Sequence, residues 1–474
     1  MENTSALAGL IFFLAFAGLI LVHELGHYLA SISSGVEVEE FGFGLPPRAW
    51  TFWRQKGYFL TRSGKRIEIP RNFGLPFSWS ELIDQELSLT EERVEDKLVL
   101  RTIDIVKEVR TKKQPSTLAG GQVMVDKSGE IVKSSQEEVS RQTIQFGKTR
   151  GPEQLLEVIT ETHPGTEYTF NWLPLGGFVR PKGENDPNVP GGLGAASPWK
   201  RLAVMFAGPI MNLLAGFILF LFLVRADGYH DLSRVMLANI APNSPAESAG
   251  MLPGDVVLQA AGQPVTDFDT LSSIIRAHIE QPMEFVLQRG NETLTVTATP
   301  RSNPPEGQGA VGISMSEVVV PVNTWGETIR YAATSVYDQG RALLLLPAKL
   351  IRGTLAPEEG RFIGLKGIYD IFNLSVSVDM QSREPLPATT QAPTYSTLYL
   401  IATLTISIGL FNLLPFPALD GGRIIFILPE LVTRRRVPHQ FENAVHATGM
   451  ILLLLFMLYI NVMDFINPIV LPTP

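Results

Sequence analysis

Apolar residues in this chain are gathered into four long runs, near Ala6–Ala30, Leu202–Val224, Tyr395–Leu414 and Ala447–Met463, with polar stretches between them. Each approaches the roughly 20 residues that a helix needs to cross the hydrocarbon core of a bilayer. The second contains no charged residue. The pattern predicts a polytopic α-helical membrane protein with about four transmembrane helices, at 5–30, 202–224, 395–414 and 447–463. The first run lacks a basic leader and ends in HELGH rather than in small residues, so it reads as a span and not as a cleaved signal. Lys182, Lys200 and Arg201 precede the second run, and Arg423, Arg434, Arg435 and Arg436 lie between the third and fourth. That asymmetry puts 31–199 and 423–446 on the cytosolic side and 226–394 outside.

The polar stretches have their own rhythms. FGFGLPPRAW (41–50) is rich in Gly and Pro and predicts a tight loop. Residues 51–165 predict a soluble α+β insert. Thr90 with the following EERVEDKLVL resembles a capped helix start, and QVMVDKSGEIV (122–132) two short strands about a turn. YTFNWLPLGGFVRP (168–181) predicts a membrane-associated β-hairpin whose open edge can pair with an extended peptide. Within 229–315, SPAE (244–247) is a capping box, Leu271, Ile274, Ile275 and His278 share a helical face, and two alternating strands flank Gly290-Asn291. These elements suit a small partly open β-barrel with two helices. Residues 316–394 predict an amphipathic helical segment, capped by Thr324 and Glu327 and broken at Pro347 within ALLLLPAKLI, lying at the membrane interface.

Composition changes this picture little. The chain is 45% hydrophobic and 18% charged, with a mean hydropathy of +0.14 and a net charge of −8. The negative balance argues against a nucleic-acid partner. The absence of cysteine removes disulfides and thiolate metal sites.

The chemistry begins inside the first run. His23 and His27 are four apart, so one helical turn puts both imidazoles on one face, able to grip one metal ion. Glu24 beside them can act as general base on an attacking water. Ionisable residues at membrane depth cost about 2.5–3.5 kcal/mol each on insertion scales and are functional by default. Imidazoles without a competing thiolate favour zinc. A hydrolytic zinc site takes three protein ligands and leaves a fourth position open. The candidates for the third include His439, His446, Glu430, Glu442, Asp464 and Asp420. Asp420 lies in FNLLPFPALDGGR (411–423), where two prolines interrupt the third span. Interrupted helix at membrane depth is tolerated only where it lines a cavity or is buried in protein, which favours Asp420. Asn212, in AGPIMN of the second span, is a buried amide that needs partners.

Taken together, HELGH in the first span, GPIMN in the second and NLLPFPALDGG in the third resemble the site-2 protease family of intramembrane zinc metalloproteases, most nearly its bacterial regulator-of-sigma-E branch. Residues 235–300 resemble that family's PDZ domain. The resemblance implies that His23, His27 and Asp420 bind Zn2+ and that Glu24 is catalytic. It implies that Asn412 helps hold the substrate backbone or the developing oxyanion, and that Gly176, Gly177 and Phe178 belong to a β-hairpin that pairs with substrate. It implies regulated intramembrane proteolysis in the bacterial inner membrane, on single-span substrates such as anti-sigma factors or signal-peptide remnants. The active site is then near the cytosolic side, and the PDZ domain is outside, contacting the substrate's ectodomain or C-terminus. The departures are the long 51–165 insert, one PDZ domain where that branch has two, and Leu365 where a family segment carries proline. Two other readings compete: a catalytically inactive PDZ-bearing membrane adaptor, and a transporter with a His/Glu proton relay. The absence of repeated halves weighs against the transporter.

Overall fold

The computed structural model describes residues 2–71, 82–94, 97–111, 138–147, 154–184, 186–305, 307–352, 362–383 and 394–468. In chain order the elements are α1 (Glu2–Ser33), β1 (Val38–Arg54), β2 (Gly57–Thr61), β3 (Arg66–Ile69), β4 (Glu86–Val94), β5 (Lys97–Thr111), β6 (Glu138–Gly147), β7 (Gln154–His163), β8 (Glu167–Pro181) and α2 (Pro198–Asp227). There follow β9 (Tyr229–Ile240), α3 (Pro245–Ser248), β10 (Val256–Ala260), β11 (Gln263–Pro264), α4 (Phe268–Ala277), β12 (Met283–Arg289), β13 (Glu292–Ala298) and β14 (Ile313–Val320). The last five are α5 (Trp325–Arg352), α6 (Leu365–Gln381), α7 (Ser396–Asn412), α8 (Asp420–Thr433) and α9 (His439–Ile466).

Among the described residues, three helices are long and apolar enough to cross a membrane: Ser5–Ser33 within α1, α2 and α9. Where a further span was expected at 395–414, α7 is apolar but has 17 residues. At 1.5 Å per residue it reaches about 26 Å, short of a hydrocarbon core of about 30 Å.

Two compact units form. One comprises residues 10–212 and 411–458. Within it, β8 folds back on itself, but its arms do not pair with each other as a hairpin would. Phe41 faces both Val179 and Tyr168, and Gly42 both Phe178 and Thr169, so residues 38–43 of β1 lie between the two arms. The expected loop at 41–50 is therefore part of β1, whose far arm pairs Trp50 with Phe170 and Arg54 with Glu167. Tyr28, Val38 and Phe41 form the small core beneath.

The insert is all β among its described residues, not α+β. β3, β2, β7, β4 and β5 pair in that order, and a parallel β3–β5 contact closes them into a five-stranded barrel, with β6 added on β5. The stretch expected to start a helix after Thr90 forms the end of β4 and the start of β5 instead. Its Glu, Arg and Lys residues favour helix, but Leu87, Leu89 and Leu100 alternate into a core with Phe59, Ile67 and Ile159, all fully buried. Partner strands supply that burial, and tertiary pairing overrides propensity. The strands expected at 122–132 lie outside the described residues.

The other unit comprises residues 1–9, 213–410 and 459–474. Its sheet runs β13-β12-β10-β9-β14 with β11 beside β10, and reaches Val320, five residues past the expected boundary at 315. Val235, Leu237, Val257, Phe285 and Leu287 from the strands meet Leu271, Ile274 and Ile275 from α4 in one core. His278 leaves that face and caps α4, its ring nitrogen 2.8 Å from Ile274 O. Ser244 accepts from Glu247 N at 3.1 Å, and Glu247 accepts from Asn243 N at 2.6 Å. Pro347 does not break its helix: α5 is continuous through it.

Candidate metal centre

The helical spacing in α1 brings His23 and His27 side by side, 7% and 8% exposed. Their Nε2 atoms are 3.1 Å apart. Asp420 opens α8, and its Oδ2 lies 3.1 Å from His23 Nε2 and 3.3 Å from His27 Nε2. Asp420 reaches this position because the chain doubles back tightly after α7. A Cβ on Gly421 would lie 2.2 Å from Leu414 O, and one on Gly422 2.3 Å from Phe416 O. Only glycine lets the first turn of α8 tuck against the segment that precedes it.

The three atoms suit a metal. A tetrahedral centre with ligand distances of about 2.05 Å sets its ligand atoms about 3.3 Å apart, close to all three separations. His27 Nδ1 donates to Val204 O at 2.7 Å, which leaves Nε2 of the neutral ring with a lone pair. Asp420 Oδ2 is buried without a hydrogen-bond partner. Acceptors crowded this closely are placed to share one cation, and two imidazoles with one carboxylate are a zinc-type donor set. Among the described residues no other group of three or more such side chains converges in this way.

α2 supplies the surroundings. A Cβ on Gly208 would fall 2.4 Å from His27 Nε2 and 2.8 Å from His23 Nε2, so glycine there is what lets α2 pass. Gly26 plays the same part on α1, where a Cβ would meet Ala207 O at 2.3 Å. Asn212 is fully buried, its amide 3.4 Å from His23 Nδ1, with Oδ1 unpartnered. Turning the amide over sets Oδ1 against a protonated Nδ1, satisfies both groups and frees His23 Nε2 as a ligand. Asn212 was legible in the sequence as a buried amide, though not as a partner of His23. Val204 was not legible at all, because it acts through its backbone carbonyl.

Glu24 is half-buried, and its Oε2 accepts from Val179 N at 3.0 Å. Val179 is on the outer arm of β8, so this N–H points away from β1. Gly176 (φ +76) presses that arm on α1: a Cβ would lie 2.6 Å from Ile20. A Cβ on Gly177 would lie 2.7 Å from Gly42 O. Phe178 is half-buried beside Gly42. The structure thus brings the Gly176–Phe178 arm of β8 against α1, beside Glu24 and near the histidines. Asn412 ends α7, half-buried, and no hydrogen bond joins it to the cluster among the described residues.

Comparison with known proteins gives concordant matches. The sequence model of Peptidase family M50 matches residues 11–62 and 138–456. A relative from Clostridium perfringens is 30% identical over 305 residues, covering 64% of this chain and 85% of its own. The regulator of sigma-W protease RasP of Bacillus subtilis is 24% identical over 469 residues, covering 95% of this chain and 96% of its own. The zinc metalloprotease RasP of Geobacillus kaustophilus is 24% identical over 458 residues, 95% and 96% of the two chains.

Proposed function

The chain belongs to peptidase family M50 and is a zinc metalloprotease of the membrane, and from that premise we propose that it hydrolyses peptide bonds within or beside transmembrane segments of single-span membrane proteins. His23, His27 and Asp420 are the zinc ligands. The observation that carries this is the triangle of ligand atoms, 3.1, 3.1 and 3.3 Å on its sides.

When bound, zinc polarises the scissile carbonyl and acidifies water. The chain's own groups do the rest. Val204 O and Asn212 hold the two imidazoles in the tautomer that presents Nε2. Glu24, oriented by Val179 N–H, takes a proton from the attacking water and returns it to the leaving amine. The outer arm of β8 offers backbone donors and acceptors to a substrate that has unwound into a strand. Pairing of that kind grips any sequence, because it uses main-chain groups. Asn412 is a donor to the carbonyl oxygen as charge develops there.

Residues 229–315 are read as a PDZ domain outside the membrane, screening the substrate's ectodomain or C-terminus. Support comes from the antiparallel sheet with one short and one longer helix. α7 is read as the third of four transmembrane helices, which a tight packing or a thin bilayer accommodates. Substrates of the anti-sigma-factor or signal-peptide class follow from the same reading.

The test is cleavage of a model single-span substrate by purified protein in detergent, wild type beside Glu24→Gln, each with metal analysis. The variant is expected to hold one zinc and to lose about 10²–10⁴-fold in rate, the usual share of a general base. Normal turnover by Glu24→Gln would sink the assignment of Glu24. Zinc without cleavage in either protein would point to a wrong substrate or a shut gate, and no zinc in either would favour the inactive adaptor or the proton relay.

A further inference from the structure

α9 carries a side chain that the reaction above does not use. Ala418 N donates to His446 Nδ1 at 3.0 Å. Because Ala418 supplies the proton, Nδ1 carries the lone pair and the ring's own proton sits on Nε2. That Nε2 is buried without a hydrogen-bond partner, and the ring packs 5.6 Å from Phe426. The imidazole is therefore committed to one bond, to the backbone two residues before Asp420.

That backbone needs holding. Ala418 has φ +84, in the left-handed region that a residue with a Cβ seldom enters and keeps only when its surroundings impose it. α9 grips the segment at a second point as well. Gly449 lies against Pro417, where an added Cβ would sit 2.3 Å from Pro417 Cβ and 2.8 Å from its carbonyl oxygen. His446 and Gly449 are three apart and so share one helix face. Leu419 then precedes α8 with no side-chain cap of its own, so the conformation at 417–418 decides where Asp420 enters.

We infer that His446 is a positioning residue of the metal centre: its Nδ1 holds Ala418 in the left-handed conformation that aims Asp420 at His23 and His27. The inference rests on the zinc reading above for its consequence, though not for the contact itself.

The experiment uses the full chain in detergent with three readouts. These are zinc affinity by chelator competition, kcat and KM on the model single-span substrate, and hydrogen exchange of the peptide spanning 416–420. His446→Leu keeps bulk and removes the acceptor. Zinc affinity is expected to fall about 10- to 100-fold, as for other groups that orient metal ligands. kcat is expected to fall while KM holds, and the 416–420 peptide to exchange faster. His446→Asn, whose Oδ1 stands where Nδ1 stood, restores most of each. Ala418→Gly takes positive φ unaided, so His446→Leu costs less in that background.

Wild-type zinc affinity and kcat in His446→Leu overturn the inference. So does His446→Asn as impaired as His446→Leu, since that assigns the effect to ring packing. Should His446→Leu fail to fold, His446→Asn decides alone: near-wild-type zinc affinity supports the role, and a loss of tenfold or more overturns it. Should wild type hold no zinc, the metal reading falls. Exchange at 416–420 then still decides whether His446 holds Ala418, since faster exchange in His446→Leu with wild-type exchange in His446→Asn supports it and equal exchange in all three overturns it.

Discussion

A single methyl group at position 208 tests the packing that shapes the metal centre. In Gly208→Ala the new Cβ would lie 2.4 Å from His27 Nε2 and 2.8 Å from both Cε1 and Nε2 of His23. Contact between such atoms is comfortable only near 3.5 Å, so about 1 Å must be found. α2 is poorly placed to provide it. Its backbone touches α1 at Gly26, where a Cβ would meet Ala207 O at 2.3 Å, and it accepts the 2.7 Å bond from His27 Nδ1 through Val204 O. The imidazoles must swing instead, and a metal site keeps its affinity only within about 0.2 Å of its ligand distances. Overpacking of this size costs about 1–3 kcal/mol in stability. A misplacement of about 1 Å at the reacting groups costs about 10²-fold in rate. The assay is zinc retention under chelator challenge together with kcat/KM on the model substrate. Gly18→Ala on α1, the helix that carries both histidines, is the control, because nothing lies within 4 Å of its added Cβ. Wild-type zinc retention and unchanged kcat/KM in Gly208→Ala would refute the reasoning.

Other expectations follow from contacts of the same kind. Asn212→Ala removes the amide beside His23 Nδ1 and should weaken zinc about 10- to 100-fold by chelator competition; unchanged affinity would detach Asn212 from the centre. In the β9–β14 sheet, burial pushes the Asp255 carboxyl up, but the Arg289 hydrogen bonds and Leu252 N–H outweigh it and hold it below the usual carboxylate range. Its contribution to stability is therefore present above about pH 4 and is lost as pH falls further. Thermal unfolding should show that acid limb in wild type and a flatter one in Asp255→Asn. His230 shifts the other way. The Glu317 hydrogen bond raises it, burial opposes, and Asp227 adds to the rise. Its contribution is full below about pH 6.5 and disappears as pH climbs through the raised value. Between pH 6 and 9, His230→Gln should remove that decline, and an unaltered decline would assign it to another group.

What the sequence determined by itself is what lies within a turn or two of chain. Spacing of four set His23 and His27 on one helical face, and Ser244 with Glu247 and Thr324 with Glu327 announced their helix starts through bonds three residues long. Gly290-Asn291 turned one strand into the next. Asp420 was legible as a candidate because an acid after two prolines at membrane depth is costly unless something uses it. The tertiary structure decided what depends on distant partners. Closure of the insert's barrel needs Ile67 beside Leu98 and Leu87 beside Glu157, and no local periodicity encodes either pairing. Residues 38–43 lie between the arms of β8 because main-chain groups pair across more than a hundred residues of chain. Val204 reaches His27 through a carbonyl that every residue possesses, and His446 reaches Ala418 through an equally anonymous N–H. Side-chain identity is written in the sequence, whereas backbone hydrogen bonds acquire partners only when the chain has folded.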